Sequence, residues 1–307
     1  MTRTSAFKTP TGEAAFLSAY DSALRVWPVP FEELDVASRF GSTHVIAGGP
    51  KTAPPLVLLH GYAATSMMWS LYVADFTKRF RVYAIDVMGQ CGKSVPAEPI
   101  RSAADYVEWL SATLDALQVT SMSLVGMSFG ATVALTYATH VPGRVQKLVL
   151  LSPGGIILPF TRSFSVRGML MMLFPARPIV NWFMRWLSVE DNPGDAEARR
   201  VGEQVVDLMY LGLKHFKFPK ETAQAQPSVF SDDQLRSVQA PTLMMVGEYE
   251  VIGDPVKVLE RARRLIPDFE GQRVPRTSHD MVFTEHRLVA ARTLDFLMKA
   301  RAERSAA

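Results

Sequence analysis

Gly126-Met127-Ser128-Phe129-Gly130 decides how the rest of this 307-residue chain is read. It lies between an apolar run, Met122 to Gly126, with the length of a short buried strand, and Ala131 to His140, which reads as a helix packed against that strand. Ser128 then occupies the turn between them. Side chains larger than glycine at 126 and 130 would collide where strand and helix cross, and the turn strains the backbone at the serine. Such a turn lifts the hydroxyl above the sheet edge, while the start of the helix aims backbone N–H groups at negative charge formed beside it. Taken alone, the five residues read equally well as a Gly-Ser turn without chemistry. The surrounding chain decides between the two.

A nucleophilic serine needs a base, an acid to orient that base, and a second donor for an oxyanion. Upstream, Pro55-Leu56-Val57-Leu58-Leu59-His60-Gly61 is a buried strand running into a His-Gly turn, followed by Tyr62 to Ser66 and a helix start near Trp69. The second oxyanion N–H is expected there, from the backbone of Tyr62, with Phe129 N–H as the first. His60 is expected to brace the loop. Downstream, the apolar strand Thr242 to Val246 ends in Gly247-Glu248-Tyr249-Glu250-Val251-Ile252-Gly253-Asp254-Pro255. The chain order serine, acid, histidine places an acid just past this strand, and Glu250 is the choice. Asp254 is the alternative acid, although its place before Pro255 reads more simply as the N-cap of a helix running to Ile266. Glu248 is expected to be a loop carboxylate.

After a strand near Phe269 to Val274 comes Ser278-His279-Asp280, and then a helix expected from Thr284 to Ala300. His279 is the base candidate because its loop can reach over the sheet edge. Of the other histidines, His44 lies in an early strand, His140 ends a helix, His215 falls in the middle insertion and His286 within the terminal helix. None of those four sits at the carboxyl end of a strand, where chemistry collects in open α/β sheets.

With these residues assembled, the chain resembles the α/β-hydrolase superfamily over nearly its whole length. The motifs that carry the resemblance are Leu56-Val57-Leu58-Leu59-His60-Gly61, Asp86 to Ser94, the Ser128 pentapeptide, Gly247 to Glu250 and Ser278-His279. More narrowly it resembles bacterial carboxylesterases of the naproxen-ester-hydrolysing type, through Leu24 to Val29, Arg39 to Ala47 and Gly247 to Ile252. That resemblance implies a glutamate as the triad acid, at Glu250. Two departures stand out. Much of the superfamily has aspartate at that place, so the extra methylene needs a retracted loop or another rotamer. Met88 stands where an arginine often precedes the first glycine, which bears on loop packing.

Strands near residues 43 to 47, 56 to 60, 81 to 85, 122 to 126, 146 to 151, 242 to 246 and 269 to 274 alternate, after the first, with helical patterns, the signature of an α/β fold with a mostly parallel sheet covered on both faces. The rhythm breaks between Pro153 and Ser237. Residues 1–152 and 238–307 are therefore expected to form the core, and 153–237 an inserted helical cap. The cap carries Phe164, Met169 to Phe174, Trp182, Phe183, Met184 and Trp186, an apolar load expected to be covered by closing over the catalytic edge. Pro175 and Pro178 should divide it into separate helices. Met127, Trp182, Phe183 and Trp186 are the pocket candidates, suited to bulky apolar groups.

A formal charge of +3 with scattered basic residues, Arg261, Arg263 and Arg264 reading as one solvated helix face, gives no footprint for nucleic acid. Cys91 is the sole cysteine, so an intramolecular disulfide and a thiolate metal cluster are excluded. No metal or cofactor is expected. The start lacks the apolar core of a secretory signal, and no stretch reaches the ~18 apolar residues of a membrane span, so a cytoplasmic protein without stable membrane insertion is expected. Together these features point to a serine hydrolase acting on a small-molecule ester. The same residues would also serve carbon–carbon bond hydrolysis, lactone opening, acyl transfer or perhydrolysis, or a hydrolase-like ligand receptor.

Overall fold

In the computed structural model, which describes residues 5–189, 194–218 and 228–299, the apolar runs of the sequence form the middle of one sheet. Its strands are β1 (Phe31–Ser38), β2 (Gly41–Gly48), β3 (Pro55–Leu59), β4 (Arg81–Ile85), β5 (Val95–Pro96), β6 (Met122–Met127), β7 (Val145–Leu151), β8 (Thr242–Gly247) and β9 (Phe269–Val274). Their spatial order is β1-β2-β4-β3-β6-β7-β8-β9, with β5 beside β2. From β4 to β9 neighbouring strands run parallel, whereas β2 is antiparallel to β1, β4 and β5. Helices cover both faces, so the central strands are apolar at nearly every position rather than at alternate ones.

The helices are α1 (Pro10–Leu24), α2 (Ser70–Phe76), α3 (Ala103–Ala116), α4 (Phe129–His140), α5 (Arg162–Leu173), α6 (Arg177–Trp186), α7 (Ala196–His215), α8 (Asp232–Arg236), α9 (Pro255–Leu265), α10 (Met281–Thr284) and α11 (His286–Met298). Alternate strand residues feed two apolar clusters. On one side of the sheet Val57, Leu59 and Leu150 join Trp109 of α3 and Tyr137 of α4. On the other, Leu56, Leu58 and Met245 join Trp69, Tyr72 of α2, Leu208 of α7 and Phe296 of α11. The fully buried Trp69 and Trp109 are the largest side chains of these layers.

Local chemistry sets the helix starts. Thr9 caps α1 by accepting from Gly12 N–H, with Pro10 in the first turn. Ser102 and Asp105 form a reciprocal capping box at α3. The terminal helix, expected from Thr284, starts at His286 as α11 and is preceded by the separate short helix α10, and its expected end, Ala300, lies outside the described residues.

The chain leaves the sheet after β7 and returns in the neighbouring β8, and the described part of the interval contains α5 to α8 and no strand. Pro175 falls between α5 and α6, and Pro178 in the first turn of α6. The N-terminal segment grips this interval. Lys8 N–H donates to His215 O at 2.7 Å, Lys217 N–H donates to Ala6 O at 2.8 Å, and the His215 ring fills the space where a Gly12 side chain would begin.

Arg261 departs from the expected solvated face. It turns inward and donates to Ile157 O, to Phe230 O and to Asp232, leaving only Arg263 and Arg264 exposed. No helix among the described residues is long and apolar enough to cross a membrane.

Candidate active site

Ser128 stands between β6 and α4 with φ 51° and ψ −111°, a conformation that side-chain-bearing residues rarely adopt. Backbone hydrogen bonds hold it there: Ser128 N–H donates to Leu151 O at 2.8 Å, and Thr132 N–H donates to Ser128 O at 3.1 Å. The flanking glycines are sterically required. A Cβ at Gly126 would lie 2.3 Å from Gly130 O, and one at Gly130 would lie 2.1 Å from Leu59 O. Phe129 is the first residue of α4, so its N–H has no acceptor within the helix and points out of its N-terminus.

The loop after β3 is tied down from beneath. Val87 N–H donates to His60 Nε2 at 2.9 Å, so the proton of this imidazole is on Nδ1, which donates to Gly61 O at 2.8 Å. Burial holds the His60 pKa below the ordinary value, against the charge of Asp86, and the neutral ring is a structural strut. Asp86 accepts from Ser66 N–H, Ser66 Oγ–H and Lys93 N–H, joining the loops that follow β3 and β4. Met88 is fully enclosed among apolar side chains there. Tyr62 sits at the mouth of this loop with its ring edge-on to Phe129.

Glu250, in the loop after β8, and His279, in the loop after β9, meet across those two loops. His279 Nδ1 lies 3.0 Å from Glu250 Oε2, and a carboxylate only accepts, so Nδ1 is the donor, and in the neutral form of the ring Nε2 is the nitrogen with the lone pair. The other oxygen, Oε1, accepts from Val251 N–H at 2.9 Å and Ile252 N–H at 3.1 Å. The glutamate is thus folded back over its own loop, which takes up the extra methylene. Burial opposes ionisation of Glu250, but its electrostatic interaction and hydrogen bond with His279, together with the Ile252 N–H, outweigh it and hold the carboxyl below its usual range. Gly247 lets the two loops touch, since a Cβ there would fall 2.2 Å from Ser278 O. Asp254 is instead the N-cap of α9, accepting from Val256 N–H and Lys257 N–H. Glu248 accepts from Arg276 N–H.

Ser128 and His279 line one cavity of about 440 Å³. Its remaining wall is mostly apolar, with Met127, Phe160, Phe183 and Met209 prominent. Trp182 and Trp186 do not line it, contrary to the sequence reading. They lie one turn apart on α6, to one side of the stripe of Val180, Phe183 and Leu187, with Trp186 against the Phe183 ring at 6.1 Å, and Arg167 of α5 covers both tryptophan rings. A further correction concerns the apolar load as a whole, because Met169, Leu170, Leu173, Phe174 and Trp182 remain exposed to water.

Asp280 is a cavity residue that the sequence reading passed over, along with Thr132, Phe160 and the α7 residues Val205 and Met209. It is only 8% exposed, and it accepts from Ser278 N–H at 3.1 Å. Burial raises its pKa, against that hydrogen bond and one from Ser188. Its place next to His279 was the available signal. For α7, nothing in a twenty-residue amphipathic run tells which partner its apolar face meets.

This fold, with a strained serine on its central turn, defines a class: residues 54–286 match the family described as the alpha/beta hydrolase fold, and the chain belongs to it. Among curated relatives it is 33% identical over 284 residues to an uncharacterized carboxylesterase, Nap, of Bacillus subtilis (strain 168), covering 92% of this chain and 91% of that one. It is 32% identical over 283 residues to carboxylesterase YbfK of the same strain, covering 92% and 93%. Among solved structures, naproxen esterase (carboxylesterase NP) from Bacillus subtilis superposes with a TM-score of 0.86 at 31% identity, covering 94% of this chain and 99% of that one.

Proposed function

We propose that this protein is a serine carboxylesterase that cleaves esters of bulky, apolar acids or alcohols through an acyl-enzyme. The observation that carries the reading is the 3.0 Å pair of Glu250 and His279, with Ser128 and His279 lining one apolar cavity. Two long carboxylesterase relatives, each about a third identical, support the ester as substrate class.

In this reading His279 Nε2 takes the Ser128 hydroxyl proton as the oxygen attacks the ester carbonyl. The carbonyl oxygen becomes an oxyanion held by the Phe129 and Tyr62 N–H groups, and the Glu250 carboxylate stabilises the imidazolium. Collapse expels the alcohol, which leaves with the proton from His279. A water molecule, deprotonated by the same nitrogen, then releases the acid and restores the serine. Met127 and Phe183 shape the apolar subsite, and methionine and aromatic walls adapt to several group shapes. The helices within 153–237 form the cap over a core of 1–152 and 238–307. A cytoplasmic home suits the single, buried Cys91.

The test is turnover of p-nitrophenyl esters by purified wild type and by Ser128→Ala, Glu250→Gln and Asp254→Ala, each checked by circular dichroism. Loss of Ser128 or Glu250 is expected to lower kcat by roughly 10,000-fold or more. Asp254→Ala should keep kcat and cost about 1 kcal/mol of stability through the lost cap. A folded Ser128→Ala that still turns over ester at the wild-type rate would sink the reading.

A further inference from the structure

The outward face of α5 is apolar where a surface helix ordinarily turns charge to water. Of its twelve residues only Met171 is buried. Val166, Met169, Leu170 and Leu173 follow the spacing i, i+3, i+4, i+7, so they form one stripe, and each is between 38% and 63% exposed. Phe174 and Trp182 extend the apolar surface, at 58% and 42% exposure. Exposed patches of this kind mark places where the protein meets something else.

Charge says what that is. From Pro153 to Val189 there is no aspartate, glutamate or lysine, and there are four arginines, at 162, 167, 177 and 185. Arg162 and Arg185 are exposed, Arg167 lies over the Trp182 and Trp186 rings at 4.5 and 4.9 Å, and Arg177 pairs with Asp207 of α7. An apolar stripe with leucine, phenylalanine and tryptophan, flanked by arginine, is the composition of a helix lying in the headgroup region of a bilayer. A second copy of the same face is a poor partner, since a two-fold contact would set arginine against arginine with no acid in the segment to receive it.

The same helix is a wall of the cavity. Ser165, Gly168 and Met172 line it, and Met169 both lines it and reaches solvent. Whatever α5 rests on is therefore one helix thickness from Ser128's cavity. We propose that the α5–α6 hairpin docks the protein peripherally on an anionic lipid bilayer, with Val166, Leu170 and Leu173 in the acyl boundary and the arginines among the headgroups. Docking is independent of the esterase reading, but joined to it gives that enzyme access to esters dissolved in the bilayer.

The experiment is co-sedimentation of the full chain with vesicles of phosphatidylglycerol or of phosphatidylcholine, at low and at raised salt. Wild type is expected to pellet with phosphatidylglycerol in preference to phosphatidylcholine and to be released by salt, with a blue shift in emission that is lost in Trp182→Phe. Leu170→Glu with Leu173→Glu, and separately Arg162→Gln with Arg185→Gln, should each weaken the partition by roughly tenfold or more. Neither pair lines the cavity, so turnover of a soluble p-nitrophenyl ester should be unchanged. That readout also separates failure of docking from failure of the esterase reading. No partition above the phosphatidylcholine level, or partition indifferent to the leucine pair, would overturn the proposal. So would a wild-type dimer by light scattering that the leucine pair splits, since the face would then belong to a second copy.

Discussion

Ser128 is held in a backbone conformation whose cost is about 1–3 kcal/mol for a residue with a side chain. Glycine would relieve that cost and lose about 0.5–1 kcal/mol through its freer unfolded chain. Ser128→Gly should therefore be more stable than Ser128→Ala by roughly 1 kcal/mol, read as a higher urea midpoint at unchanged slope, while neither turns over ester. Two carboxyls near it should show opposite pH dependence. Glu250 titrates below its ordinary range in the folded protein, so its contribution to stability is present above the unfolded value and is lost as pH falls through the folded one. Asp280 titrates above its ordinary range, so its favourable, protonated state is present at acid pH and is lost as pH rises through the folded value. Asp280→Asn keeps an oxygen for Ser278 N–H. Its melting temperature should exceed that of wild type at neutral pH, and the gap should close below the ordinary carboxylate range. A gap that is constant with pH would mean that Asp280 is stabilised by contacts other than those seen.

At the scale of the element, α6 presents two apolar stripes. Val180, Phe183 and Leu187 turn inward, whereas Trp182 and Trp186 stack under Arg167. Phe183→Ala is expected to raise KM for bulky esters severalfold or more, as about 1–3 kcal/mol of apolar contact is lost, and Trp182→Ala to leave KM for soluble esters alone. The central strands were legible in the sequence because a strand covered on both faces is an uninterrupted apolar run, as in Leu56 to Leu59 or Leu243 to Val246. The edge strand β1 was not, because most of Phe31 to Ser38 faces water and its pattern carries three acids. That Ser128, Glu250 and His279 fall just past strand ends could be read from the same apolar runs. Trp182 and Trp186 could not be placed from composition, since aromatic content does not tell helix phase. The spacing of 180, 183 and 187 contains that phase, but choosing it over the i, i+4 pair of tryptophans needs the neighbouring α5.

For the molecule as a whole, the site exists only when distant parts of the chain have met. Ser128, Glu250 and His279 come from three strand ends, and the strut at His60 and the carboxylate of Asp86 join two more loops beneath them. Cys91 lies in that substructure, fully buried against Ala63 O, with burial raising its thiol pKa. It should be unreactive towards a soluble disulfide reagent in the native state, and its labelling rate in urea should follow loss of esterase activity. Labelling of the active, native protein would show that this region opens on its own. The grip of the N-terminal segment on α7 has a consequence of another kind. Neighbouring exit and return strands make the interval between β7 and β8 look like a cassette, free to be exchanged between relatives and to diversify while the chemistry stays put. Yet α7 carries cavity residues and is clasped by residues 6 to 8 and by α1. What recombination has to move, in a genome or in a chimera, is two separated stretches of the gene at once, and a crossover that carries only the second brings a pocket wall without its anchor.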